Sequence, residues 1–205
     1  MRRISYINNQ ITASKPFPNH SLPHPHYQPR HISCDLALRY IPTYTFSMFV
    51  IQLANALNAH AVKYALVGGY AVALHGAVRG TVDIDIVIPL KQRAFNNAEQ
   101  ALKTLGLQPR LPVSADDVFL FREEYIQNKN LIAWSFINPD KPTEVVDIII
   151  TEDLKDMKPV VKNIMGTNIK IADIASLIAM KTRSGRPQDI EDVKALEKLT
   201  LGNLT

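Results

Sequence analysis

The chain has 205 residues, 46% of them apolar, which is enough for one domain with a substantial core; its single cysteine, Cys34, excludes an internal disulfide. No apolar run approaches the roughly 20 residues of a membrane span, and no apolar segment follows Arg2 and Arg3 as a secretory signal requires, so a cytoplasmic protein without a membrane partner is expected. The net charge of +4 lies wholly in residues 1–47, where five basic residues face Asp35 alone; beyond them 18 basic residues balance 18 acidic ones, a balance that does not support a uniformly basic face for nucleic acid and leaves a local patch open.

Residues 1–47 read as a separate leader. "KPFPNHSLPHPHYQPRH" packs five prolines and four histidines into 17 residues with no helical or strand period, and predicts an extended or disordered segment. His20, His24, His26 and His31 lack the fixed spacing of a metal site, so the solvated-tail reading is preferred. Met48 precedes the first periodic stretch and is a candidate alternative start, which leaves residues 48–205 as the folded domain.

From Met48 the pattern is regular. "MFVIQLANALNAH" places Phe49, Val50, Leu53 and Leu57 on one helical stripe. "VKYALVGG" is a short buried strand stopped by glycines, "YAVALHGA" a short helix, and "TVDIDIVIP" a second strand closed by Pro89. "KQRAFNNAEQALKTLG" predicts a helix with Phe95, Ala98, Leu102 and Leu105 inward and Gly106 as its stop. "DDVFLF" and "NLIAWSFI" are expected as strands, "NPDKPT" as a turn, and "EVVDIIIT" as a strand pairing back on its predecessor. "KPVVKNIMGTNIKIA" suggests two short strands about Met165 and Gly166. Helices opened by Asp173 and Pro187 close the chain. The order describes an α/β (mixed α+β) domain, a small mixed sheet with flanking helices and helical C-terminal packing.

Three aspartates stand out because each interrupts an apolar strand. Asp83 and Asp85 point the same way, about 6.6 Å apart at roughly 3.3 Å per residue, while Ile84, Ile86 and Ile88 take the buried face. Asp147 repeats the arrangement within "VVDIII", and Glu144 on the same strand should face oppositely. Each aspartate can be a solvent-facing residue of a half-buried sheet. If the two strands are neighbours, however, three carboxylates meet, and like charges held together resist ionising. A hard divalent cation such as Mg²⁺ removes that conflict. Two such ions about 3.5–4 Å apart can clamp the attacking and leaving oxygens of a phosphoryl transfer. Gly68 and Gly69 end the preceding strand and open a helix, where free N–H groups can receive phosphate; alone they mark only a tight turn.

"LVGGYAVALHGAVRGTVDIDIVI" resembles the core motif of the nucleotidyltransferase superfamily with the DNA polymerase β-type fold. The chain looks most like its minimal bacterial branch, which includes abortive-infection-type nucleotidyltransferase toxins. "LIAMKTRSGRPQDIEDVKAL" is similar to the lysine-then-aspartate signature of those relatives, and the resemblance spans roughly residues 50–200. It implies that Gly68 and Gly69 cradle phosphate, that Asp83, Asp85 and Asp147 are catalytic and hold two Mg²⁺ ions, and that Lys181 contacts nucleotide phosphate. It further implies that Asp189 is a base or orienting group, and that Arg79 and Thr81 hold the turn or the triphosphate. Gly69 departs from the serine common at that place, so a hydroxyl contact to phosphate is missing.

The same residues have plainer readings. Lys181 near a helix end meets the macrodipole favourably, and Asp189 in a first turn supports any helix. His75, Trp134 and Tyr125 read as packed side chains. The function implied is metal-dependent transfer of a nucleoside monophosphate from an NTP to a hydroxyl of a tRNA end, a protein or a small molecule, with release of pyrophosphate. By resemblance it would act within a toxin–antitoxin system beside a cognate antitoxin. The alternative is a non-catalytic nucleotide-binding or toxin-neutralising partner.

Overall fold

The apolar runs around residues 65, 85 and 147 are too short to be stable alone, and in the computed structural model they pair at the centre of one sheet. The structure describes residues 43–202, with side chains from 48 to 201. The leader segment predicted to be extended or disordered, with its histidines, lies outside the described residues but for its last residues from Thr43. Helix α1 (Thr43–Ala59) begins before Met48, inside the stretch assigned to the leader.

After α1 come β1 (Ala65–Leu66), α2 (Gly68–Leu74), β2 (Ile84–Val87), α3 (Gln92–Thr104), β3 (Gln108–Pro109), α4 (Ala115–Leu120) and α5 (Arg122–Lys129). Then follow β4 (Ala133–Asn138), β5 (Lys141–Ile149), β6 (Val160–Ile164), β7 (Thr167–Ile171), α6 (Ile174–Ser184) and α7 (Pro187–Gly202). The seven strands lie in the order β3-β4-β5-β2-β1-β7-β6. β2 runs parallel to β5 and β1 parallel to β7, while the other neighbours are antiparallel. This is the mixed α/β class that the sequence predicts.

Periodicity explains how the layers meet. Phe49, Val50, Leu53 and Leu57 of α1 are all buried, and α1 packs on β7 and α3. Phe95, Ala98 and Leu102 of α3 are fully buried, and the chain leaves the helix through Gly106 in the left-handed region (φ 78°). β4 alternates, sending Trp134, Phe136 and Asn138 inward. β6 and β7 form a hairpin whose turn residues, Met165 and Gly166, both have positive φ, as a tight hairpin turn demands. Asp173 caps α6 by accepting from the Ser176 N–H.

Two expectations need correcting. "DDVFLF" is helical rather than extended, because Ser114 and Asp117 form a reciprocal capping box that starts α4. Ala115 and Val118, three residues apart, are the buried pair, whereas Leu120 is 65% exposed and would have shared a strand face with Val118. The turn expected over residues 138–143 is shorter: only Pro139 and Asp140 form it, and β5 is already paired at Lys141.

Candidate functional site

The acidic part of the site follows from strand register. Asp85 of β2 and Asp147 of β5 are direct partners in the parallel ladder, on strands that lie about 4.8 Å apart. Asp83 sits in the exposed bend just before β2, and Ile84 and Ile86 are fully buried on the other face. The Asp85 carboxyl is pushed up to about 6, first by burial and then by the Asp147 carboxylate, with Asp83 adding to the effect and Lys181 and Arg186 opposing it. Burial also raises Asp147, with Asp83 contributing, while the Ser135 hydroxyl and Arg110 pull it back. Ser135 is the register partner of Asp147 on the other side, in β4. Asp147 Oδ1 is buried and has no hydrogen-bond partner among the described residues. Among those residues no three His, Cys, Asp or Glu side chains converge into a finished metal-binding group. The three carboxylates share one neighbourhood and repel.

The glycine corner lies against this cluster. Gly68 has φ 63°, and a Cβ placed on it would stand 1.8 Å from Asp85 Oδ2. The main chain can therefore run beside that carboxylate only because the residue is glycine. The neighbouring Val67 N–H donates to the Asp85 carbonyl at 2.9 Å, which ties β1 to β2 at this point. A Cβ on Gly69 would meet Thr81 Cβ at 3.0 Å, Thr81 Oγ1 at 3.1 Å and the Arg79 guanidinium carbon at 3.4 Å. The volume a serine side chain would need at position 69 is thus occupied by Thr81 and Arg79, which lie directly over the turn.

The cationic part is an ion-pair network between α6, α7 and the loop before β2. Lys181 Nζ stands 2.8 Å from both Asp189 Oδ1 and Asp192 Oδ2. Arg79 Nε reaches Asp192 Oδ1 at 3.1 Å, and Arg186 Nε reaches Asp189 Oδ2 at 2.7 Å. The Asp189 side chain is 1% exposed. Its burial would raise the carboxyl, yet hydrogen bonds from Arg186, Lys181 and Ser184 hold it far below the usual carboxylate range. Both Asp189 carboxylate oxygens are thus engaged, Oδ1 by Lys181 and Oδ2 by Arg186. Asp192 and Arg186 were not singled out by sequence reasoning. The available signal was spacing, since residues 189 and 192 fall on one helical face.

Other candidates resolve into packing. His75 Nε2 lies 2.8 Å from the Ala172 carbonyl, Trp134 is 1% exposed beside Phe95 and Phe136, and Tyr125 rests against the core. Glu144 accepts from Asn138 Nδ2 at 2.7 Å and pairs with Lys141. No helix among the described residues is long and apolar enough to cross a membrane.

No family model matches the sequence, and no curated protein matches it. Solved structures do. An antigenic nucleotidyltransferase-like protein from Paracoccidioides brasiliensis superposes with a TM-score of 0.50 at 22% identity, over 77% of each chain. The antibiotic-resistance factor ANT(2'')-Ia superposes with a TM-score of 0.52 at 14% identity, over 77% of this chain and 88% of that one. At such identities the likeness is one of architecture, and the chain has a nucleotidyltransferase fold.

Proposed function

We propose that this chain is a metal-dependent nucleotidyltransferase that moves a nucleoside monophosphate from an NTP to an acceptor hydroxyl. The observation that carries the reading is the juxtaposition of Asp85 and Asp147 as register partners beside the Gly68 main chain, with Asp147 Oδ1 buried and, among the described residues, unpartnered. An orphaned buried oxygen and mutually repelling carboxylates are what a hard divalent cation stabilises, so the residues fit Mg²⁺. Asp83, Asp85 and Asp147 would hold two ions. Bound there, the metal would supply charge neutralisation on the transferring phosphoryl group and on the attacking oxygen.

The chain's own residues divide the remaining work. The backbone at Gly68 and Gly69 lets the distal phosphates approach the main chain, and Thr81 offers its hydroxyl over the same turn. Arg79 and Lys181 oppose the negative charge that builds as the reaction proceeds. The acceptor oxygen forms a bond to the α-phosphorus, the bond from that phosphorus to the bridging oxygen breaks, and pyrophosphate departs with the electron pair. The hydroxyl proton is lost to solvent. Such chemistry is positioning and electrostatics.

The acceptor could come from three pools: a tRNA end, a protein, or a small molecule. The neutral charge balance beyond residue 47 favours a small molecule or protein over a long nucleic-acid footprint. One solved structure of the same fold is described as an antibiotic-resistance factor, which is consistent with a small-molecule acceptor. A toxin–antitoxin setting with a cognate antitoxin rests on the motif resemblance alone.

The deciding experiment incubates the full chain with Mg²⁺, each labelled NTP, and separate RNA, protein and small-molecule pools. One pool should become labelled, and Asp85→Asn or Asp147→Asn should reduce labelling by about a hundredfold or more in a folded protein. Metal-dependent NTP binding with no labelled product in any pool would instead establish the non-catalytic reading.

A further inference from the structure

We infer that Asp192 is the positioning residue that holds Arg79 and Lys181 toward the phosphates of the nucleotide; the inference rests on the reading of the site given above. The geometry is that of a divided carboxylate. Asp192 gives Oδ1 to Arg79 Nε at 3.1 Å and Oδ2 to Lys181 Nζ at 2.8 Å. Its side chain is 5% exposed, so it reaches a ligand only through the two cations.

Each cation leads from Asp192 to a different wall of the site. The Arg79 guanidinium carbon lies 3.4 Å from where a Gly69 Cβ would stand, and another of its nitrogens donates to the Gly80 carbonyl, so the group is fixed across the glycine turn. Lys181 lies on α6, which packs against α2, the helix that Gly68 and Gly69 open. Asp192 thereby joins the loop before β2, helix α6 and helix α7 at one point.

Long cationic side chains lose rotamer freedom when they are fixed. A ligand meeting Arg79 and Lys181 already held in place avoids much of that loss.

The test measures binding of ATP, GTP, CTP and UTP, each with Mg²⁺, by calorimetry on the full chain. Asp192→Asn keeps the shape and removes the charge. It should raise Kd about tenfold for whichever triphosphate binds, as expected for coupling between contacting residues. In an Arg79→Ala/Lys181→Ala background the same substitution should have no further effect. A folded Asp192→Asn protein that binds as tightly as wild type overturns the inference. If that variant does not fold, Asp192→Glu decides: its charge is kept, but the added methylene displaces both cations, so Kd must rise at least about threefold and an unchanged Kd overturns the inference. A wild-type chain that binds none of the four triphosphates defeats the reading of the site itself, which separates the two failures.

Discussion

Replacing Gly68 by alanine tests whether the turn is glycine because of the carboxylate beside it. Two penalties add. At φ 63° an alanine Cβ costs about 1–2 kcal/mol through its clash with its own backbone. The same Cβ would stand 1.8 Å from Asp85 Oδ2 and 2.6 Å from its carboxyl carbon, far inside normal contact. Either Asp85 swings away, or the backbone between β1 and α2 shifts at about 1–3 kcal/mol, the range for overpacking. The sum is about 2–5 kcal/mol, or a fall in Tm on the order of 5–15 °C for a domain of this size. Gly80→Ala is the control, since nothing lies within 4 Å of its Cβ position; it should stay within about 0.5 kcal/mol of wild type. Thermal melts followed by circular dichroism, with Mg²⁺-dependent NTP binding measured on the same samples, read both effects. A Gly68→Ala protein that melts with wild type and keeps its nucleotide affinity would refute the close approach.

Asp85→Asn should change the pH profile of stability. The Asp85 carboxyl is raised from 3.8 to about 6, so the folded state binds the proton more tightly than the unfolded chain in that window. Its contribution is full below about pH 4 and is lost as pH rises through 6. In EDTA the asparagine variant should therefore match wild type near pH 4 and exceed it by up to about 3 kcal/mol near pH 7.5; parallel curves in urea melts would contradict the burial and repulsion argument. Ser114→Ala removes the hydroxyl that accepts from the Asp117 N–H at the start of α4, keeps the Ser114 N–H that donates to the Asp117 carboxylate, and should lower the unfolding free energy by about 1 kcal/mol. An unchanged urea midpoint would show that the hydroxyl contributes nothing to this helix start.

What could be read in advance followed the range of the interactions. The Gly68-Gly69 turn, the short helix and the strand bearing Asp85 are local, and glycine conformation with apolar runs signals them within about twenty residues. The strand around Asp147 was legible as a strand, but its placement against β2 is a pairing across 62 positions that only the sheet order supplies. The helix at residues 115–120 was misread although its cap was present in the sequence: the apolar run Val118-Phe119-Leu120-Phe121 outweighed Ser114 and Asp117 in a strand reading. Saturation of Lys181 was beyond local reasoning. It depends on Asp189 and Asp192 turning the same way on α7 and on Arg79 arriving from more than a hundred residues earlier.

The two parts of the site differ in what they have already paired with. On the cationic side Arg79, Lys181 and Arg186 each hold an aspartate. On the acidic side Asp147 and Asp83 raise the proton affinity of Asp85, Asp83 raises that of Asp147, and Asp147 Oδ1 is without a partner among the described residues. Buried like charges are destabilising, and amides or hydrophobes of similar volume would relieve them. Their presence is intelligible as a stability–function compromise. A polyphosphate arriving alone would find Arg79 and Lys181 but would worsen the repulsion around Asp85. A divalent cation alone would neutralise the carboxylates and, on the proposed reading, bring no anion to Arg79 and Lys181. On that reading, metal and triphosphate together would satisfy both parts, Asp83, Asp85 and Asp147 holding the one and Arg79 and Lys181 opposing the charge of the other. On the same reading, reciprocal linkage requires each ligand to tighten the other.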